Sequence, residues 1–210
     1  MHSAFEMAMM AKAAEGRKRY AIEVTVAGQY FDIPFSLSSN ARVEVDVWVP
    51  NNTQNRYIIS SSNDNINSFF EVLTYYSFFL NRRYGGYFGG QTFGASAEKW
   101  HNLVCDGRYT YLDGILVNTI PSSSFAAPNT NSTRVFGMLA GGINQASPAG
   151  TKIAALKIDD GENHADLAPV LAGSTQFSQT PAPQNGFWCG ALERYFHSLT
   201  SAPFGAREVE

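Results

Sequence analysis

Eight consecutive residues, Arg42-Val-Glu-Val-Asp-Val-Trp-Val49, limit what this chain can fold into more than any other stretch. Val43, Val45, Val47 and Val49 alternate with Arg42, Glu44, Asp46 and Trp48, the two-residue period of a half-buried β-strand. β-Branched side chains are stiff and suit a pleated backbone. A face of four valines needs a second apolar layer over it, so the strand belongs to a packed sheet. The opposite face carries Glu44 and Asp46 side by side, about 6.5–7 Å apart between Cα atoms.

From Tyr20 onward short apolar runs recur between turn signals. Strands are expected at Tyr20–Val26, Gln29–Ile33, Arg42–Val49, Arg56–Ser60, Ser68–Leu73 and Phe78–Asn81. They continue at Tyr84–Gly89, Trp100–Asp106, Thr110–Leu112, Ile115–Ile120, Arg134–Gly141 and Thr151–Asp159. Many short strands with closely spaced turns indicate a sandwich or barrel, not a parallel α/β sheet. Asp113-Gly114 marks the clearest hairpin, because both positions tolerate φ > 0. Ser174–Gln184, with Pro181 and Pro183, reads as a polar excursion.

A chain of 210 residues fits one all-β domain. Hydrophobic residues at 44% and aromatics at 13% suffice for a core, while charged residues at 16% leave the surface to Ser, Thr, Asn and Gln. A net charge of −3 argues against a nucleic-acid partner, which needs a basic stripe. No apolar run is long enough for a membrane-spanning helix. The two cysteines, Cys105 and Cys189, make neither a metal site nor a disulfide framework. A free core thiol and a single Cys105–Cys189 bridge both stay open for them.

Ser3–Glu15 is built from good helix formers, with Ser3 and Glu6 at capping-box spacing and Gly16 as a stop. Residues 1–19 are therefore read as a helical docking segment, with Phe5, Met9 and Met10 as its partner-contacting residues. Packing of that helix on its own sandwich is the equal alternative. The N-terminus lacks the basic start of a secretory signal, so use inside the cell or release with a virus particle is expected.

The order of segments resembles a laminin-G-like jelly-roll module of the concanavalin A-like superfamily. Gly28-Gln-Tyr-Phe-Asp-Ile-Pro-Phe35 and Ala41-Arg-Val-Glu-Val-Asp46 look like its opening strands. Trp100-His-Asn-Leu-Val104 and Thr110-Tyr-Leu-Asp-Gly-Ile-Leu-Val117 look like its paired strands around an Asn/Asp-Gly turn. Gly150–Gly161, Asp166-Leu-Ala-Pro169, Asn185-Gly-Phe-Trp188 and Glu193–Ser198 resemble its later strands and closing hairpin. Leu167, where Phe is usual, and Trp188-Cys189, where Tyr-Asp is usual, depart from the pattern. The resemblance implies an all-β, two-sheet antiparallel jelly-roll sandwich over residues 20–210, and a module that recognises or builds without catalysing.

Catalysis has one specific test. Retaining β-glucanases on jelly-roll sandwiches place three acids as Glu-x-Asp-x-x-Glu along one strand, and their carboxyl groups sit roughly 5–5.5 Å apart. Here Glu44 and Asp46 fill two places and Val49 stands in the third. The chain is read as a non-enzyme. A partner site is expected at the aromatic and basic stretch 74–87, with Tyr75, Tyr76, Arg82, Arg83, Tyr84 and Tyr87 as ligand-binding residues. No cofactor is required, but calcium, a frequent companion of the superfamily, has candidate oxygen ligands in Asp64, Asp159 and Asp160. The function expected is a phage virion appendage or decoration protein. It would dock to other structural proteins through its helix, contact a cell-surface glycan, and form a homo-oligomer. A carbohydrate-binding module on a bacterial surface is the alternative, and a glycoside hydrolase the least favoured.

Overall fold

The computed structural model describes residues 19–38, 40–51, 56–61, 70–75, 79–84, 87–88, 97–120, 132–137 and 146–209. All regular elements among them are strands: β1 Arg19–Glu23, β2 Phe31–Ile33, β3 Arg42–Trp48, β4 Arg56–Ser61, β5 Phe70–Tyr75, β6 Phe79–Tyr84, β7 Tyr87–Phe88 and β8 Trp100–Asp106. They continue with β9 Tyr109–Leu112, β10 Ile115–Thr119, β11 Thr133–Val135, β12 Lys152–Asp159, β13 His164–Val170, β14 Gly186–Cys189, β15 Arg194–His197 and β16 Gly205–Val209. The expected helix, with Phe5, Met9 and Met10, lies outside the described residues.

The strands form a sandwich of two antiparallel sheets. One has ten strands in the order β10-β9-β8-β3-β12-β13-β14-β15, with β1 beside the start of β12 and β16 beside β1. The other has six, in the order β2-β11-β4-β5-β6-β7. The valine face of β3 points into the gap, with Val43, Val45, Val47 and Val49 each no more than 7% exposed. Leu103 and Cys105 of β8 and Ile153, Leu156 and Ile158 of β12 extend the same layer. Phe31, Ile33, Ile58, Ile59, Val72 and Val135 of the six-stranded sheet cover it. At one end Phe31 of β2 reaches across to Phe187 of β14 and Phe196 of β15, with ring centroids 5.4 and 5.6 Å away. Tilted rings packed this closely hold two layers in one relative position.

Several expected strands end early, for local reasons. The first stops at Glu23 because the Gln29 side chain accepts hydrogen bonds from the N–H groups of Thr25 and Val26, at 2.6 and 3.1 Å, and plugs a turn. Gly28 closes that turn at φ 100°, a conformation glycine adopts without strain. Of the strand expected at Arg134–Gly141, β11 holds Arg134 and Val135, Phe136 turns to φ 65° and buries its ring beside Phe31 and Phe204, and residues 138–141 lie outside the described ones. Strand β13 has no counterpart among the periodic runs, since Pro169 breaks the expected pattern. Strand β16, Gly-Ala-Arg-Glu-Val, is too polar to signal itself and pairs with β1 from Arg19↔Val209 to Glu23↔Gly205. The Asp113-Gly114 hairpin forms as expected, at φ 50° and 81°.

Candidate functional site

The outward-facing residues of the ten-stranded sheet come from strands far apart in sequence. Strand register sets Trp48 of β3 directly opposite Trp100 of β8 on one side and Lys152 of β12 on the other. One place along, Asp46 stands opposite Asn102 and Ala155. A shift in register between Ile153 and Ala155 makes Ala154 an extra residue in β12. Such a bulge bends the strand and re-aims its neighbours. Trp188 of β14 shares this outer face, opposite Ala168 and Tyr195. All three tryptophans of the chain thus lie on one face of one sheet.

These side chains line three shallow depressions that share walls. The first, bounded by Glu23, Trp48, Trp100, Lys152, Arg207 and Glu208, has a volume of about 480 Å³. Trp100 is also a wall of the second, with Arg19, Asp46, Asn102 and Ala154. Arg19 and Ala154 continue into the third, of about 590 Å³, which ends at Pro169, Leu171 and Phe177. Together they make an open groove across the strands, floored by small residues.

Its polar groups are held in fixed positions. Asn102 Nδ2 donates to Asp46 Oδ1 at 2.8 Å, and Arg19 Nη2 lies 3.4 Å from Asp46 Oδ2. Lys152 Nζ sits 3.3 Å from the centre of the Trp48 ring, a cation–π contact. Burial lowers the Lys152 pKa from its ordinary value, with the Arg207 charge assisting and the Glu23 charge opposing. Glu23 accepts from Arg207 Nε at 2.7 Å. At the other end Phe177 stacks nearly parallel on Trp188, at 6.4 Å and 7°, while Tyr195 packs against Trp188 at 4.7 Å. The segment expected to be a polar excursion is therefore a built wall. It is tied by Gly173 N–H to Ala182 O at 2.8 Å and Ala182 N–H to Ser174 O at 2.9 Å.

The acids that raised the question of catalysis are engaged otherwise. Asp46 is held by Asn102 and Arg19, and Glu44 lies 3.6 Å from Arg42 Nη2. The third place of the acidic pattern, Val49, is in the core at 7% exposure. Of the ligand-binding stretch expected at 74–87, the described residues 74–75, 79–84 and 87 fall on the other sheet. Register sets Tyr75 opposite Phe79, Arg82 opposite Val72, Arg83 opposite both Glu71 and Phe88, and Tyr84 opposite Tyr87. Tyr76 lies outside the described residues, as does the calcium candidate Asp64. Asp159 accepts from Gly161 N–H at 2.9 Å and sits 3.2 Å from His164 Nδ1. Asp160 Oδ1 accepts from the N–H groups of Glu162 and Asn163, at 3.1 and 2.6 Å. The Asp159–Asp160 oxygens thus serve the β12–β13 turn. Cys105 and Cys189 are both buried thiols, not joined by a disulfide.

Sequence reading missed Trp100, Asn102, Lys152, Arg19 and Phe177. A signal for two of them existed: Trp100, Asn102, Val104 and Asp106 alternate with His101, Leu103 and Cys105 much as the β3 residues do.

No protein-family description and no curated protein sequence matches the chain. Among solved structures, it is similar to the full extracellular region of zebrafish Gpr126/Adgrg6, with a TM-score of 0.54 and 10% identity. That match covers 91% of this chain and 26% of that one, so the chain spans only a part of the zebrafish protein's length. A native heptameric SAP-like pentraxin from Limulus polyphemus matches at a TM-score of 0.47 and 12% identity, over 67% of this chain and 76% of that one. At such identity the zebrafish match is a likeness of fold.

Proposed function

We propose that this chain is a non-catalytic recognition module of the laminin-G-like, jelly-roll type, and that it binds a glycan along the outer-face groove. One observation carries the reading: Trp48 and Trp100 stand beside the Asp46–Asn102 pair and Arg19 in an open trough. A sugar ring has an apolar face, which suits an indole, and a rim of hydroxyls, which suits a fixed carboxylate, amide and guanidinium. An open trough with shared walls suits several linked rings better than one enclosed small molecule. Catalysis finds less support, because Asp46 is already bonded to Asn102 and the place of a third acid is a core valine.

The context we favour is a phage particle, with the module as an appendage or decoration protein. It draws on the order of laminin-G-like segments and on the sparsely charged surface. Residence on a bacterial surface is the alternative.

A glycan array followed by calorimetry tests the groove. Trp100→Ala and Asp46→Asn are expected to lower affinity about tenfold or more, as loss of a stacking face or a charged hydrogen bond does. Tyr75→Ala with Tyr76→Ala should leave it unchanged. The reverse pattern moves the site to the six-stranded sheet. Hydrolysis of a β-glucan that is lost in Glu44→Gln overturns the non-catalytic reading. Mass spectrometry of purified particles tests the context, and absence of the chain from them removes it.

A further inference from the structure

The ten-stranded sheet ends in a strand whose outer side no described strand covers. Strand β10, Ile115-Leu-Val-Asn-Thr119, pairs with β9 on one side, and no described strand pairs with its other side. Five large apolar side chains are exposed among the described residues. Three of them stand at this edge: Ile115 at 68%, Leu116 at 51%, and Tyr109, opposite Thr119, at 45%. Exposed sheet edges normally carry charges or proline, which discourage pairing with another chain. The other margins of the same sheet follow that rule, with Arg194 and His197 on β15 and Arg207 and Glu208 on β16. β10 has neither charge nor proline; its single irregularity is the register shift between Leu116 and Asn118.

We infer that β10 is the contact by which two copies of this chain join, antiparallel and about a twofold axis near Val117. The unpaired backbone N–H and C=O groups of one edge then meet those of the other, as in strand addition. Two-fold contacts are self-complementary by construction, and this edge satisfies that condition. Ile115 falls opposite Thr119 of the second copy, and Leu116 opposite Asn118, with no like charges opposed. The charges that flank the strand select the antiparallel direction. Asp113 precedes it at the hairpin tip, and Arg108 sits at its far end, where its Nε donates to Ile120 O at 2.7 Å. Antiparallel pairing brings each Asp113 toward the other copy's Arg108. Parallel pairing would set Asp113 against Asp113, at a cost. The two ten-stranded sheets become one continuous sheet, and both grooves open on the same side of it.

Sedimentation of the full chain over a concentration series reads the association. Dimers are expected at concentrations on the order of 10 μM. Ile115→Lys with Leu116→Lys should weaken dimerisation about tenfold or more, because two charges then face a hydrogen-bonded edge. An unchanged dissociation constant in that variant, or a wild-type chain that stays monomeric throughout, overturns the inference. A second variant covers the case in which the lysine form misfolds. Ile115→Cys with Thr119→Cys places thiols about 13 Å apart within one chain, too far to bridge, yet opposite each other across the twofold. Mild oxidation should give a covalent dimer while the buried Cys105 and Cys189 stay out of reach. Failure to cross-link at dimer-forming concentration overturns the antiparallel edge.

Discussion

Phe31→Ala removes the side chain that touches both layers of the sandwich. Phe31 is 1% exposed, and its ring lies 5.4 to 6.3 Å from those of Phe187, Phe196, Phe204 and Phe136. Burying a Phe contributes roughly 1.5–3 kcal/mol from transfer alone, and truncation adds the cavity left behind, for a total of about 3–5 kcal/mol. The upper part of that range applies here. The four neighbouring rings are themselves at most 3% exposed, two of them on β14 and β15 and two in the segments just after β11 and just before β16, so the hole cannot close by local collapse. A loss of about 4–5 kcal/mol follows, which for a chain of this size is a fall in Tm of roughly 8–20 °C. Urea unfolding followed by tryptophan fluorescence measures it as a lower midpoint at unchanged slope. A loss below about 2 kcal/mol would mean the sheets are not keyed together at Phe31, and the account of the core would fail.

The remaining predictions probe other parts of the fold. Gly186→Ala drives a Cβ into the Phe196 carbonyl oxygen, backbone that cannot swing away; a loss of about 1–3 kcal/mol or more is expected from overpacking, read by the same unfolding assay. Asp113 provides a pH signature. Burial pushes its pKa up, but hydrogen bonds from His101 and the Asn102 N–H, with the His101 and Lys99 charges, outweigh this and hold it below 3.8. A depressed folded-state value means the stabilisation is present above the unfolded pKa and is lost as pH falls through the folded one. The stability gap between wild type and Asp113→Asn should therefore shrink as pH falls below about 4; a gap that widens in that range refutes the assignment. Cys105 and Cys189, each 0% exposed, should be unreactive to a thiol reagent in the native chain, and both should titrate in denaturant without reductant.

How much was legible from residues alone varied with the kind of signal. The period of Arg42–Trp48 was read directly, because a strand with one buried face imposes strict alternation on its own sequence. The Asp113-Gly114 turn was legible because few residue pairs accept two positive φ values in succession. β16 was not, since it is held by backbone bonds to β1 and needs no apolar side chains of its own. Phe136 misled in the opposite direction: an apolar residue after a strand looks like more strand, yet here its ring is wanted in the core and its backbone turns away. The aromatic stretch 74–87 drew attention by density, whereas the groove aromatics are single residues spread over the chain.

The one-dimensional pattern was enough to dictate strands, their two faces, the hairpin at Asp113-Gly114 and the need for a second layer. All of these arise from interactions between residues close in sequence or from the demand to bury an alternating face. The assembly of Trp48, Trp100, Lys152, Asp46, Asn102 and Arg19 into one groove was decided only by the tertiary structure. Those residues come from four strands whose neighbours are set by sheet register, and Ala154, the extra residue in β12, shifts that register by one at the groove's floor. Which outer-face side chains meet is a property of the pairing between strands, and no single strand contains it.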